Sequence, residues 1–317
     1  MIITTLAAMA AGYLLSVMVG TPPVLSARRM LTKLCGKLAP KFSRSYLDSE
    51  DGQHTGGGFY IALVLMIATL PTALVLVLLY WKLPIAALAA DTLICWSCMD
   101  IRESSRLSQA AARCVRSGNL AKASKVAAVL GRTEYSELDS DDVIRASVQG
   151  TADRTVDSAA LLFYMALFSG LGGMLYRAVD AAAAANVSEA FLTPSKKMRE
   201  FLCFLPGKLA AVIMLVDALF LRMNVHSAER IMSEDREKCA RKSVGSCRAV
   251  LAGLLGISLL PETIIESNNR RTLMIGDQIS PPDSQDITIA NQLMLGTAFI
   301  MMVLLFMIKL TVGIYFR

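Results

Sequence analysis

The chain has 317 residues, of which 54% are hydrophobic and 18% charged, and carries a formal net charge of +6. A soluble domain is about 45–50% apolar. Here the apolar residues gather in long uncharged runs with the charges between them, which reads as a polytopic membrane protein. The basic residues flank the apolar runs, so the positive balance speaks for membrane orientation, and the sequence contains no nucleic-acid module.

Seven cysteines, an odd number, several of them inside or beside apolar runs, argue against a disulfide framework. Residues 1–20 are apolar, with no basic residue in front and no small-residue cleavage site behind. They read as a retained anchor helix.

Spans of roughly twenty apolar residues fall at 1–19, 59–81 and 290–316. A shorter run at 83–99 carries Asp91. Pro71 is expected to kink the second span, Tyr80 and Trp81 suit an interface belt, and Lys309 is placed to snorkel. Arg28, Arg29, Lys33, Lys37, Lys41 and Arg44 separate the first two spans. The positive-inside rule makes that loop cytoplasmic and the N-terminus external. Gly56, Gly57 and Gly58 read as a hinge before the second span.

From 101 to 132 the pattern becomes an amphipathic helix pair. Asn119 is the expected N-cap of the second helix, with Gly131 ending it. Asp139 or Ser140 then caps a helix starting at Asp141. Residues 101–155 thus read as a cytoplasmic helical insertion. The run 156–185 is interrupted by Gly170-Leu171-Gly172-Gly173. It is either one span or a re-entrant hairpin, and basic residues at both ends favour the hairpin. The run 202–221 carries Pro206, Gly207, Lys208 and Asp217. It is expected to lie in the interface or pack inside the bundle without spanning. Residues 222–289 form a polar helical and loop segment. Within it 249–260 is too short to cross, and 262–285 is a polar loop closed by Pro281-Pro282. The predicted fold is all-α: a polytopic membrane helical bundle, one domain over 1–317, with the insertion and the re-entrant hairpin as its special features.

Polar residues cluster at both mouths of the broken run. Asp153, Thr155 and Asp157 open it. An N-cap explains one of them, but not Asp157, one turn inside an apolar run. Tyr176-Arg177 is an interface anchor or, in a hairpin, places Arg177 opposite Asp157 or an anionic ligand. Asp153 and Asp180 could hold Mg²⁺, which takes one or two carboxylates plus phosphates. Cys95-Trp96-Ser97-Cys98 has CxxC spacing without a redox or zinc context. Walker A, GxSxG and HExxH patterns are absent.

Gly131-Arg132-Thr133-Glu134, Leu138-Asp139, Ile144-Arg145-Ala146-Ser147-Val148, Ala152 and Thr155-Val156-Asp157 resemble, in order, a run of the CobD/CbiB family of cobalamin biosynthesis proteins. Tyr176-Arg177-Ala178-Val179, Ile275-Gly276-Asp277 and Ser284-Gln285-Asp286-Ile287 resemble further segments of that family. The resemblance implies adenosylcobinamide-phosphate synthase: ATP-dependent, Mg²⁺-dependent amide formation between adenosylcobyric acid, a corrinoid, and an aminoalcohol phosphate. It also implies a place in the cytoplasmic membrane with the site facing the cytoplasm. On that reading Asp157 and Arg177 act in catalysis, Thr155 and Asp277 bind the nucleotide or substrate, and Asp153 and Asp180 bind metal. The partners are the corrinoid, the aminoalcohol phosphate and the lipid bilayer, with a homo-oligomer left open. The chain departs from the family pattern at Thr21, Gln149, Arg154 and Asp180, and in the alanines that follow. The alternative is a non-catalytic paralogue, a membrane protein that binds corrinoid or a regulatory partner.

Overall fold

The computed structural model describes residues 2–45, 50–133, 138–266 and 269–315. Eleven α-helices dominate the described residues: α1 Ile2–Met18, α2 Ala27–Ser45, α3 Glu50–Lys82, α4 Pro84–Cys98, α5 Ile101–Arg116, α6 Leu120–Gly131, α7 Ser140–Ala183, α8 Glu189–Phe220, α9 Val225–Asp235, α10 Lys242–Leu255 and α11 Ser284–Tyr315. The polar loop expected after α10 instead contains an antiparallel ribbon of β1 Glu262–Glu266 and β2 Asn269–Leu273, in register from Glu262↔Leu273 to Glu266↔Asn269.

Five helical stretches are long and apolar enough to cross a membrane: Asp51–Lys82, Pro84–Arg116, Ser140–Ala183, Glu189–Phe220 and Ser284–Tyr315. Three expectations change. The first apolar helix has 17 residues, about 25 Å at 1.5 Å per residue, short of a hydrocarbon core of about 30 Å. The run 202–221 is the second half of a 32-residue helix that is long enough to cross. Lys208 and Asp217 are the only charges in 202–220, so that part of the helix stays apolar enough to cross. Pro71 lies inside α3, which continues through it to Lys82. Gly56–Gly58 are also helical, so no hinge forms there. A Cβ at Gly57 would strike the Phe191 carbonyl, so that glycine serves close helix packing.

The chain forms two compact units. One comprises Met1–Asp100, Ala160–Leu202 and Met302–Arg317, the other Ile101–Ala159 and Cys203–Met301. In the first, α2 buries Ala27, Leu31, Cys35 and Ala39. These stand at four-residue steps on one stripe. Gly12 of α1 lies so close to α4 that a Cβ would come within 2.8 Å of Cys95 Cβ. The ring of Tyr60 meets those of Phe42 and Phe191.

The re-entrant hairpin lies at the centre of this unit. Ser169, inside α7, has φ 54° and ψ −140°, and there the helix reverses. Tyr164 and Tyr176 stack at 6.2 Å with 12° between their planes. Twelve residues of straight helix would separate them by about 18 Å. A Cβ at Gly172 would collide with the Tyr164 carbonyl, and one at Gly173 with Met165. The glycines are therefore the close-contact surface of the two arms, and the turn itself is made one residue earlier, at Ser169. The returning arm, 170–183, is about 21 Å long and cannot cross.

In the second unit, small residues set the packing. Ala123 and Ala127 of α6 meet Val143 and Ala146 of α7 in a buried cluster. Asn119 caps α6 by accepting from the Lys122 N–H at 3.1 Å, and Asp139 caps α7 by accepting from the Asp142 N–H at 2.8 Å. Gly131 is the last residue of α6, and Arg132 beyond it takes the left-handed conformation, φ 54°. The short apolar run at 249–260 falls mostly within α10, which is buried along almost its whole length. It is an interior helix, which is why it is apolar without spanning.

Candidate functional site

Each unit holds a buried arginine–aspartate cluster. In the first, α4 ends at Met99 in extended conformation, which leaves Asp100 just past the helix. Thr21 Oγ1 donates to the Met99 carbonyl at 2.7 Å and tethers this end. Arg177, on the returning arm, is fully buried. Its Nε donates to the Cys98 carbonyl at 2.7 Å, and its Nη2 pairs with Asp100. Asp100 also takes Arg28 of α2 at 2.6 Å. One turn on, Asp180 meets Arg177 at 3.6 Å and Arg199 of α8 at 3.0 Å. Three guanidiniums thus surround two carboxylates. Arg28 and Arg199 keep 20% and 17% of their side chains exposed, whereas Arg177 has none.

In the second unit, Asp153 of α7 is gripped from α10 and the segment before it. Arg248 makes a two-pronged contact, Nε to Oδ1 and Nη2 to Oδ2, both 2.8 Å. Arg241 pairs with Oδ2 as well. Such planar pairs hold orientation as well as charge. Asp157, one turn along, takes Arg132 at 3.0 Å. Again three arginines face two carboxylates, and Arg241 is 38% exposed while Arg248 is buried. Cys239 Sγ accepts from Arg248 Nη1 at 3.5 Å. Burial pushes its thiol pKa up, with Arg248 opposing less strongly.

The sequence-predicted residues are therefore divided. Asp157 and Asp153 belong to the second cluster, Arg177 and Asp180 to the first. Thr155 is buried, and its hydroxyl donates to the Thr151 carbonyl of its own helix at 2.9 Å. Asp277 lies on an exposed surface, paired with Arg230 at 2.6 Å. Glu134, within the motif that carries the resemblance, lies outside the described residues.

Sequence reading missed Arg28, Asp100, Arg132, Arg199, Arg241 and Arg248 as members of these clusters. Arg248 had a usable signal: a lone charge in the otherwise uncharged run 243–261. Asp100, a charge abutting an apolar helix, had a weaker one. The departures from the family pattern also find physical roles. Arg154 is buried and donates to the carbonyls of Leu130 at 3.0 Å and Val129 at 2.9 Å, at the end of α6. Thr21 tethers α4, and Asp180 links two arginines.

The carboxylates assigned to metal fit that role poorly. Both oxygens of Asp153 are committed to guanidiniums, and Asp180 is held between Arg177 and Arg199. No group of three or more His, Cys, Asp or Glu residues among the described residues could cage a metal ion. The guanidiniums around Asp153 and Asp180 are the donors that match carboxylate oxygens.

The fold and these clusters define a helical, membrane-type protein with a helical hairpin and buried arginine–aspartate clusters. Residues 9–294 match the CobD/Cbib protein family, and the chain belongs to it. Among similar proteins, the cobalamin biosynthesis protein CobD of Clostridium perfringens is 22% identical over 94% of this chain and 96% of its own length. That of Pelobacter propionicus is 26% identical over 69% and 70%. The probable cobalamin biosynthesis protein CobD of Methanococcus maripaludis is 32% identical over 39% and 42%. No solved structure matches the chain significantly.

Proposed function

We propose that the chain works in cobalamin biosynthesis as a membrane ligase. It would join a carboxylate of adenosylcobyric acid to the amine of an aminoalcohol phosphate, at the cost of ATP. The observation that carries this reading is the family match over nearly the whole chain. The two arginine-rich clusters support it, because every reactant is anionic: a carboxylate, a phosphate monoester and a nucleotide.

ATP supplies the activation that turns a carboxylate oxygen into a leaving group. The chain's own residues bind and align. The guanidiniums of Arg28 and Arg199 on one unit, and of Arg132 and Arg241 on the other, are partly exposed and positioned to bind oxyanions. Arg177 and Arg248 are held by fixed partners, so little side-chain freedom remains to be lost on binding. Charge that builds on a carbonyl or phosphoryl oxygen in the transition state would be met by donors already in place. When the amine nitrogen bonds to the activated carbonyl carbon, the C–O bond to the leaving phosphate breaks, and the surplus amine proton needs an acceptor. Asp157, whose partner Arg132 is itself partly exposed, is the candidate. Magnesium would enter with the nucleotide phosphates, since the carboxylates here are already held by arginine.

The test is reconstitution in lipid with ATP, Mg²⁺, adenosylcobyric acid and either aminopropanol phosphate or ethanolamine phosphate. Product is detected by mass spectrometry. Adenosylcobinamide phosphate is the expected product. Its absence, while the Clostridium perfringens relative forms it in parallel, would overturn the proposal.

A further inference from the structure

Asp91 lies in the middle of the apolar helix α4 and is buried, 1% exposed. A carboxylate at such a place is costly unless it is paired. Tyr80, Ser169 and Gly170, which hold it, lie in the same unit. It accepts from Ser169 Oγ at 2.6 Å, from the Gly170 N–H at 2.9 Å and from Tyr80 Oη at 3.2 Å. Lys309 of α11 is in electrostatic reach of Asp91 and Cys95. Gly170 is the first residue of the returning arm. Asp91 therefore caps a helix N-terminus with a charge that suits its dipole. It also holds Ser169 in a backbone conformation, φ 54° and ψ −140°, that an L-residue rarely adopts. A Cβ at Gly170 would fall 2.7 Å from Asp91 Oδ1, so only glycine lets the carboxylate come this close.

The second point of contact between the same two elements is in the Arg177 cluster. Gly170 meets Asp91 and Arg177 meets Cys98, and both pairs are separated by 79 in sequence. Seven residues, about two turns, separate the contacts on both helices. α4 and the returning arm thus run parallel in one register, clamped at the foot by Asp91 and at the mouth by Arg177. A slip of a single residue would move the guanidinium by about 1.5 Å along the axis.

We propose that Asp91 is a positioning residue for the cluster. Its bonds to Ser169 and Gly170, balanced by Lys309, set the register at which Arg177 reaches Asp100. The kinetic part of the test rests on the ligase reading, but the cross-linking part does not.

The register can be read by a disulfide. A Cβ at Gly173 would stand 3.4 Å from Cys98 Cβ, close to the usual spacing of a disulfide, and the nearest obstacle is the flexible end of Met165. Gly173→Cys is combined with Asp91→Leu, Asp91→Asn or Ser169→Ala in the full-length chain. The yield of the bond to Cys98 is mapped by peptide mass spectrometry after mild oxidation, and kcat and KM are measured separately without Gly173→Cys. Asp91→Leu is expected to lower the cross-link yield roughly tenfold, the effect of one lost charge-assisted hydrogen bond. It is also expected to lower kcat up to about 100-fold with KM little changed, as for a misplaced group. Asp91→Asn keeps an acceptor for the Gly170 N–H and should restore part of both. If Asp91→Leu does not fold, Asp91→Asn and Ser169→Ala carry the test, and each should show a smaller loss in the same direction. Unchanged cross-linking in every variant that folds would overturn the proposal. If the unmodified chain forms no amide, the ligase reading falls while the cross-link still decides the role of Asp91.

Discussion

Replacing Arg177 by methionine removes the charge and the planar fork but keeps most of the buried volume. The structure sets the size of the effect. Arg177 is fully buried and makes a hydrogen bond to the Cys98 carbonyl and ion pairs with Asp100 and Asp180. Breaking a buried pair by removing one partner costs about 3–5 kcal/mol, because the other charge stays behind. Here Arg28 still reaches Asp100 at 2.6 Å and Arg199 still reaches Asp180 at 3.0 Å, so the lower end, about 3 kcal/mol, is expected. Asp100→Asn should lose a similar amount, since it weakens the contacts of both Arg177 and Arg28. The double variant should lose less than the sum, with a coupling of about 1.5–3 kcal/mol. The assay is reversible denaturant unfolding in mixed micelles, run as a double-mutant cycle. A coupling under about 0.5 kcal/mol, the level of independent sites, would refute the claim that Arg177 and Asp100 act as one unit.

Arg154→Asn should unsatisfy the carbonyls of Val129 and Leu130. It should cost about 1–3 kcal/mol and speed amide hydrogen exchange at the end of α6, whereas unchanged exchange there would contradict the capping role. Gly172→Ala should prevent hairpin closure, because the added carbon meets the Tyr164 carbonyl, while Gly58→Ala meets nothing within 4 Å. The first is expected to lower the yield of folded protein sharply, and the second to stabilise by up to about 1 kcal/mol through helix propensity, both read by detergent-solution melting. Burial raises the thiol pKa of Cys35, Cys239 and Cys247. A raised thiol stays protonated as pH rises through the usual cysteine range, so at pH 8.5 these three should alkylate far more slowly than the half-buried Cys114. Equal rates in the folded chain, resolved by peptide mass spectrometry, would show that the sites are not closed.

The hairpin was legible because three signals agreed: a Gly-rich break, polar mouths and basic residues at both ends. The residue that makes the turn was not. Ser169 carries no sequence mark of a left-handed conformation and is held there by Asp91, 78 positions away. The starts of α6 and α7 were legible for local reasons, since Asn119 and Asp139 are caps whose partners lie three residues on. The clusters were only half legible. Aspartates and Arg177 at the mouths of an apolar run stand out, but their partners Arg28, Arg199, Arg241 and Arg248 lie in other helices, and no local pattern pairs them. Metal binding by Asp153 and Asp180 was a reasonable expectation for carboxylates at the mouths of an apolar run. In the fold, arginines already take their oxygens.

The claim that the chain couples ATP to amide formation has one direct measurement. Adenosylcobyric acid labelled with ¹⁸O in the reacting carboxylate is turned over in lipid with ATP, Mg²⁺ and the aminoalcohol phosphate. The account predicts adenosylcobinamide phosphate, with one ¹⁸O transferred to the phosphate released from the nucleotide. An amide formed without label in a nucleotide-derived phosphate, or no amide at all beside an active relative, would contradict it.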